Sequence, residues 1–208
     1  MTTHDLDPRP LYRDALAWVT TLIDNVDADQ MSLPTPCPEF DVATLMSHQL
    51  AGVRRARTLG DGGDANTVPF LLEGSGEPTA AYEGEATAAR RSWENAETLD
   101  TVVRAPWGTV PGRAAVWAYV NETLVHGWDL AVATGQPFEA DPAIVEPVLL
   151  AAVRAIPSDT RDFMPFDEAA EPRDGAGPTE RLANWSGRVS TRWVGLVERR
   201  DPETVTGR

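Results

Sequence analysis

The sequence predicts an all-α fold: an up-down four-helix bundle with a short extended crossover and an irregular to helical C-terminal tail. Three observations carry this expectation. Four long segments repeat apolar residues at intervals of three and four. One short stretch, TVVRAPWGTVPG (101–112), has valines, a central Trp-Gly and a closing Pro-Gly, the signals of a hairpin or extended crossover. From about residue 157, prolines and acids replace the periodicity.

The first helix is expected over 9–27, with Tyr12, Ala15, Leu16, Val19, Leu22, Ile23 and Val26 on one stripe. MSLPTPCPEFD (31–41) contains three prolines and reads as a loop. Asp41 then caps a second helix over about 41–59, and Phe40 and Leu45 are spaced for a hydrophobic staple. It stops in GDGGDAN (60–66), a glycine-rich candidate flap. A third helix fits 79–98, on Tyr82, Ala86, Ala89, Trp93 and Ala96. The fourth, about 113–134, is apolar nearly all round and should be the most buried. Asp141-Pro142 opens a fifth helix, which Pro147 should kink or delay. The stretch 157–178 reads as an irregular strap pinned by Phe163, Met164 and Phe166, and a last helical stretch covers about 179–197. The expected division is a bundle domain over 1–156 and a strap and helix over 157–208.

The chain has 208 residues and can bury a core without disulfides; with one cysteine, it has no intrachain disulfide framework or Cys-based zinc cluster. A net charge of −14 argues against nucleic acid or an anionic membrane as partner. No apolar run is long enough for a transmembrane helix, and the N-terminus MTTHDLDPRP lacks a signal-peptide core, so the expected location is cytoplasmic. All 18 basic residues are arginine, which removes Schiff-base and lysine-base chemistry.

Three histidines are present: His4 in a polar terminus, and His48 and His126 inside predicted helices. Glu122 and His126 are four apart, one turn from each other on one face. Ala115, Tyr119, Glu122, His126, Asp129 and Ala133 form a seam on the fourth helix. Carboxylates and an imidazole on a core seam are normally paired or bind metal. The plainer reading is a Glu–His or Asp–His hydrogen bond within the helix. Bringing the second and fourth helices together would gather His48, Glu122 and His126 around one point. Two histidines and a glutamate with an open position suit catalytic zinc, and the same donors also suit iron or nickel. Asp129 is placed to accept the other ring N–H of His126. Cys37 in P-C-P reads as a loop thiol without a role, since the helical rise alone sets it roughly 10 Å from His48. Arg54, Arg55 and Arg57 read as a solvated charged face; attraction of acidic groups on a thiol or substrate is the alternative.

TPCPEFDVATLMSHQLAGV (35–53) resembles the "TPCP-x-(W/F)-x-V-x-x-L-x-x-H" segment of the DinB-like metal-binding superfamily. The branch it resembles is the actinobacterial mycothiol-dependent maleylpyruvate isomerase N-terminal domain, with its related short proteins. WGTVPGRAAVWAYVNETLVHGWDLAVATG (107–135) looks like that family's crossover and "E-x-x-x-H-x-W-D-L-A-x-A-x-G". TERLANWSGR (179–188) looks like the short branch's closing "D-R-L-L-A-x-x-G-R". The resemblance implies a four-helix bundle with a bound divalent metal, and metal ligands at the positions of His48, Glu122 and His126. It also implies mycothiol as co-substrate. The isomerase carries a second C-terminal domain; the stretch 157–208 is too short and proline-rich to be one.

Two readings of function follow. In the first, the chain is an enzyme in which a metal-bound small-molecule thiol is transferred to, or assists isomerisation of, a small electrophile. In the second, the metal ties helices together in a non-catalytic protein-interaction module. An open coordination position favours the first and a fourth protein ligand the second. Association into a homodimer stays open.

Overall fold

The computed structural model describes residues 6–72, 76–157, 161 and 166–200. The all-α expectation stands: the described residues hold seven α-helices and a single two-stranded sheet. None of these helices is long and apolar enough to cross a membrane. His4, Phe163 and Met164 lie outside the described residues.

Contacts divide the chain into two units, residues 1–25 with 46–123, and residues 26–45 with 124–208. In the first, helix α1 (Pro8–Asp24) starts at an Asp7 cap and buries Tyr12, Leu16 and Val19. It packs on α3 (Pro78–Ser92), which buries Tyr82, Ala86 and Ala89. Helix α2 (Val42–Gly60) enters this unit at Met46. The buried Trp93 ring donates from Nε1 to the Ala56 carbonyl of α2 at 2.9 Å. The third periodic segment was expected to continue to 98; α3 ends at Ser92, and a separate 3-10 turn, Ala96–Asp100, follows. Strands β1 (Val102–Ala105) and β2 (Gly108–Pro111) form an antiparallel hairpin with Val103 opposite Val110. Gly108, at φ +137°, takes a turn conformation closed to ordinary side chains. Helix α4 (Gly112–Thr134) follows and runs on into the second unit.

The second unit opens with the loop that ends at α2. Thr35 Oγ1 bonds the carbonyls of Phe40 (2.8 Å) and Cys37 (3.1 Å), closing TPCPEF on itself. Asp41 Oδ1 accepts the Thr44 N–H at 2.8 Å, the expected cap. On α4, Leu124, Trp128, Leu130 and Ala131 are fully buried. Helix α5 (Pro142–Ala155) carries Pro147 inside it, so this proline neither delays nor stops the helix. Packed on α5 is α6 (Pro178–Trp185). Its first backbone N–H groups, at Thr179 and Glu180, donate to the Glu139 carboxylate at 2.9 and 3.1 Å. Gly177 permits this approach, because a Cβ there would meet the same carboxylate at 2.4 Å.

The expected single helix over 179–197 is two, α6 and α7 (Thr191–Arg200). Gly187, at φ +96°, breaks the run, and the Arg188 N–H returns to the Ala183 carbonyl at 2.9 Å.

Candidate metal centre

Helix α2 supplies His48, which is only 7% exposed. The segment after the 3-10 turn Ala65–Thr67 runs back along α2, tied by the bond from Ser47 Oγ to the Leu72 carbonyl at 2.8 Å. That places the Phe70 carbonyl 3.3 Å from His48 Nδ1 and the Phe70 ring 4.6 Å from the imidazole. With Nδ1 donating, Nε2 carries the lone pair, and it lies 3.5 Å from Glu122 Oε1. A side chain on α2 facing Glu122 would crowd it: a Cβ at Gly52 would meet Glu122 Oε1 at 3.1 Å.

Helix α4 carries Glu122 and His126 one turn apart. His126 Nδ1 lies 3.0 Å from Oδ2 of Asp129, which has no exposed surface. Asp129 is gripped in turn by Arg188, from Nε to Oδ1 at 3.1 Å and from Nη2 to Oδ2 at 3.0 Å. Burial alone would raise the Asp129 carboxyl; the Arg188 guanidinium and the His126 bond outweigh it and hold the group below its ordinary value. Burial disfavours the Arg188 charge too, and Asp129 more than restores it.

The sequence-derived residues meet. One ligand-capable atom from each of His48, Glu122 and His126 lies within 4.8 Å of the others, the group of metal-ligating type found among the described residues. The donor set fits a divalent ion. Two donors each about 2.1 Å from a tetrahedral ion lie roughly 3.4 Å apart, close to the 3.5 Å between His48 Nε2 and Glu122 Oε1. Both imidazoles have Nδ1 at an oxygen acceptor, which puts the ring lone pair on Nε2, the nitrogen a metal would use. Cys37 is not in the group, and burial pushes its thiol pKa up despite the influence of Arg188.

Two contributors were missed from sequence. Arg188 is the last residue of TERLANWSGR; its place in that segment was legible, its partner was not. The Phe70 carbonyl has no side-chain signature at all. The glycine-rich stretch 60–66, expected as a flap, is laced by bonds from Gly62 to Leu59 and from Gly63 to Thr58, with Ala65 fully buried. The segment that reaches His48 is the one after it, at Phe70–Leu72.

A helical protein presenting two histidines and a glutamate from two long helices is the class that fold and site define. Residues 12–131 match the mycothiol maleylpyruvate isomerase N-terminal domain family, and the chain belongs to it. It is 31% identical over 190 residues, covering 88% of this chain and 99% of the relative, to the uncharacterized proteins MT0763 and Rv0738 of two Mycobacterium tuberculosis strains. Its fold is similar to the crystal structure of the mycothiol-dependent maleylpyruvate isomerase. The TM-score is 0.56 and the identity 17%, over 78% of this chain and 74% of that one.

Proposed function

We propose that His48, Glu122 and His126 hold a divalent ion, zinc by the character of the donors, and that the chain uses it with a low-molecular-weight thiol, mycothiol. The reaction class is transfer of that thiol to a small electrophile, or thiol-assisted isomerisation of one. The convergence of two imidazoles and a carboxylate, each imidazole with Nδ1 at an oxygen, carries this reading. Membership of a family described by mycothiol and an isomerase supports the thiol.

A divalent ion bound there would lower the pKa of a coordinated thiol and supply a thiolate near neutral pH. The protein's own residues do the rest. Phe70 and Asp129 fix the ring orientation of His48 and His126. Arg188 keeps Asp129 ionised, so Asp129 stays an acceptor for the His126 proton. Three protein donors leave room for an outside ligand. Cys37, the one thiol of the chain, lies outside this group and burial pushes its pKa up, which supports a nucleophilic sulfur supplied by an external thiol.

The test is metal analysis followed by cobalt substitution. About one divalent ion per chain is expected, and it should be lost in the double variant His48→Ala/His126→Ala. Adding mycothiol to the cobalt protein should produce sulfur-to-cobalt charge-transfer absorption. Full occupancy in the double variant sinks the metal assignment. A cobalt spectrum untouched by thiol, together with a fourth protein ligand, replaces the enzyme with a metal-stabilised interaction module.

A further inference from the structure

The chain has three tyrosines, and they come from three different helices: Tyr12 from α1, Tyr82 from α3 and Tyr119 from α4. Each is only 2% exposed. All three belong to the first unit, as does Glu122. Burial first, and the negative charge of Glu122 in addition, push every one of these phenols well above the ordinary tyrosine value. One carboxylate is thus within electrostatic reach of every phenol in the protein. A phenol that keeps its proton is a donor, and an ionised carboxylate is an acceptor.

The hydroxyls of Tyr12 and Tyr119 are buried and have no hydrogen-bond partner among the described residues. A buried hydroxyl without a partner costs free energy, and such groups are normally met by an acceptor or an ordered water. Packing alone would be served as well by phenylalanine at both positions. On α4, side chains lean toward the helix N-terminus, so Glu122 leans over the turn that carries Tyr119, three positions before it. The Tyr119 ring also packs on Trp107, with 5.4 Å between ring centres. Tyr12 approaches from α1, which is packed on α3 and its Tyr82. Glu122 Oε1 faces His48 Nε2 at 3.5 Å and stands against the bare Gly52.

We propose that Tyr12 and Tyr119 are positioning residues for Glu122: their hydroxyls donate to its second oxygen, directly or across an ordered water, so that Oε1 alone is presented to the ion. This rests on the reading of His48, Glu122 and His126 as metal donors. A carboxylate held in this way is a single-point donor, and the ion keeps room for an outside ligand. A carboxylate free to turn can grip the ion with both oxygens and fill that room. The phenols then do for Glu122 what Asp129 does for His126.

The experiment uses the full chain, with zinc or cobalt as the probe and tyrosine labelled with carbon-13 at the ring carbon that bears the hydroxyl. Tyr12→Phe, Tyr82→Phe and Tyr119→Phe assign the signals, and zinc should shift those of Tyr12 and Tyr119. Tyr12→Phe and Tyr119→Phe should each lower zinc affinity by about tenfold in chelator competition. The denaturation midpoint of the metal-free protein should hold or rise in both, because an unpaired buried hydroxyl is gone. The visible absorption of the cobalt protein should weaken in both, as Glu122 turns to raise the coordination number. Unchanged zinc affinity in the two variants overturns the proposal. So does a fall in metal-free stability that accompanies the lost affinity, since the hydroxyls would then fasten the fold and not the carboxylate. Should a variant fail to fold, the labelled wild-type chain decides, and tyrosine signals unmoved by zinc overturn the role. A wild-type chain that takes up no zinc removes the metal assignment and this role together; one that binds zinc with its tyrosine signals unmoved removes the role alone.

Discussion

His48 and His126 are held by unlike neighbours. His126 leans on a carboxylate with no exposed surface, and that carboxylate is gripped by an arginine from the turn after α6. His48 leans on a peptide oxygen, that of Phe70, whose side chain is 58% exposed. The first arrangement stores a charge pair behind the ring, and every member depends on the others. The second uses a neutral group that every residue type possesses. A change behind His126 should therefore disturb both metal and fold, whereas a side-chain change behind His48 should disturb neither greatly.

The largest effect is expected from Asp129→Ala. It leaves Arg188, whose side chain is 15% exposed, without its carboxylate partner, and breaking such a mostly buried pair costs up to about 3 kcal/mol. It also removes the acceptor that orients His126, which should lower metal affinity by roughly 10–100-fold. Chemical denaturation of the metal-free protein and a competition titration with a chelator measure the two separately. The pH dependence has a definite sign. The folded pKa of Asp129 is depressed below the unfolded value of about 3.9. Its contribution is therefore present above about pH 4 and is lost as pH falls through the lower folded value. Asp129→Ala should flatten the acid limb of the stability curve; a parallel acid limb in the variant would show that the pair does not contribute.

This asymmetry explains what the sequence disclosed. Helices α1, α2 and α4 follow from apolar spacing, and the start and end of α2 from Asp41 and Gly60. Glu122, His126 and Asp129 lie on one helix, so their mutual placement needs only the helical repeat. His48 needed one further step, the pairing of α2 with α4. Arg188 was out of reach because its partner lies 59 positions away and its position depends on one residue, Gly187, taking φ +96°. Periodicity reads Leu182, Trp185, Val189 and Trp193 as one helix and has no means of registering that break. The Phe70 carbonyl was out of reach for a different reason: a backbone acceptor is independent of side-chain identity.

A middle-sized effect is expected at Gly52→Ala, on the His48 side. Alanine is the better helix former by about 0.5–1 kcal/mol. Its methyl would stand 3.1 Å from Glu122 Oε1, so the carboxylate must yield by a few tenths of an ångström. Stability should hold or rise slightly, while metal affinity falls by about tenfold. A fall in stability with unchanged metal affinity would show that the helices, and not the carboxylate, absorb the methyl group.

The smallest effect is expected from Phe70→Ala. The ring is largely exposed, so little apolar burial is lost, and the peptide oxygen that accepts from His48 Nδ1 remains. Stability should fall by less than about 1 kcal/mol, the usual range for exposed positions with modest contacts. Metal affinity should stay within about threefold, far from the loss at Asp129→Ala. What the substitution does remove is the ring that lies tilted against His48 and under the Arg55 guanidinium. If chelator competition instead shows a loss equal to that of Asp129→Ala, the imidazole is held by the ring and not by the peptide oxygen. The two histidines would then both depend on side chains, and the contrast drawn between them would fail.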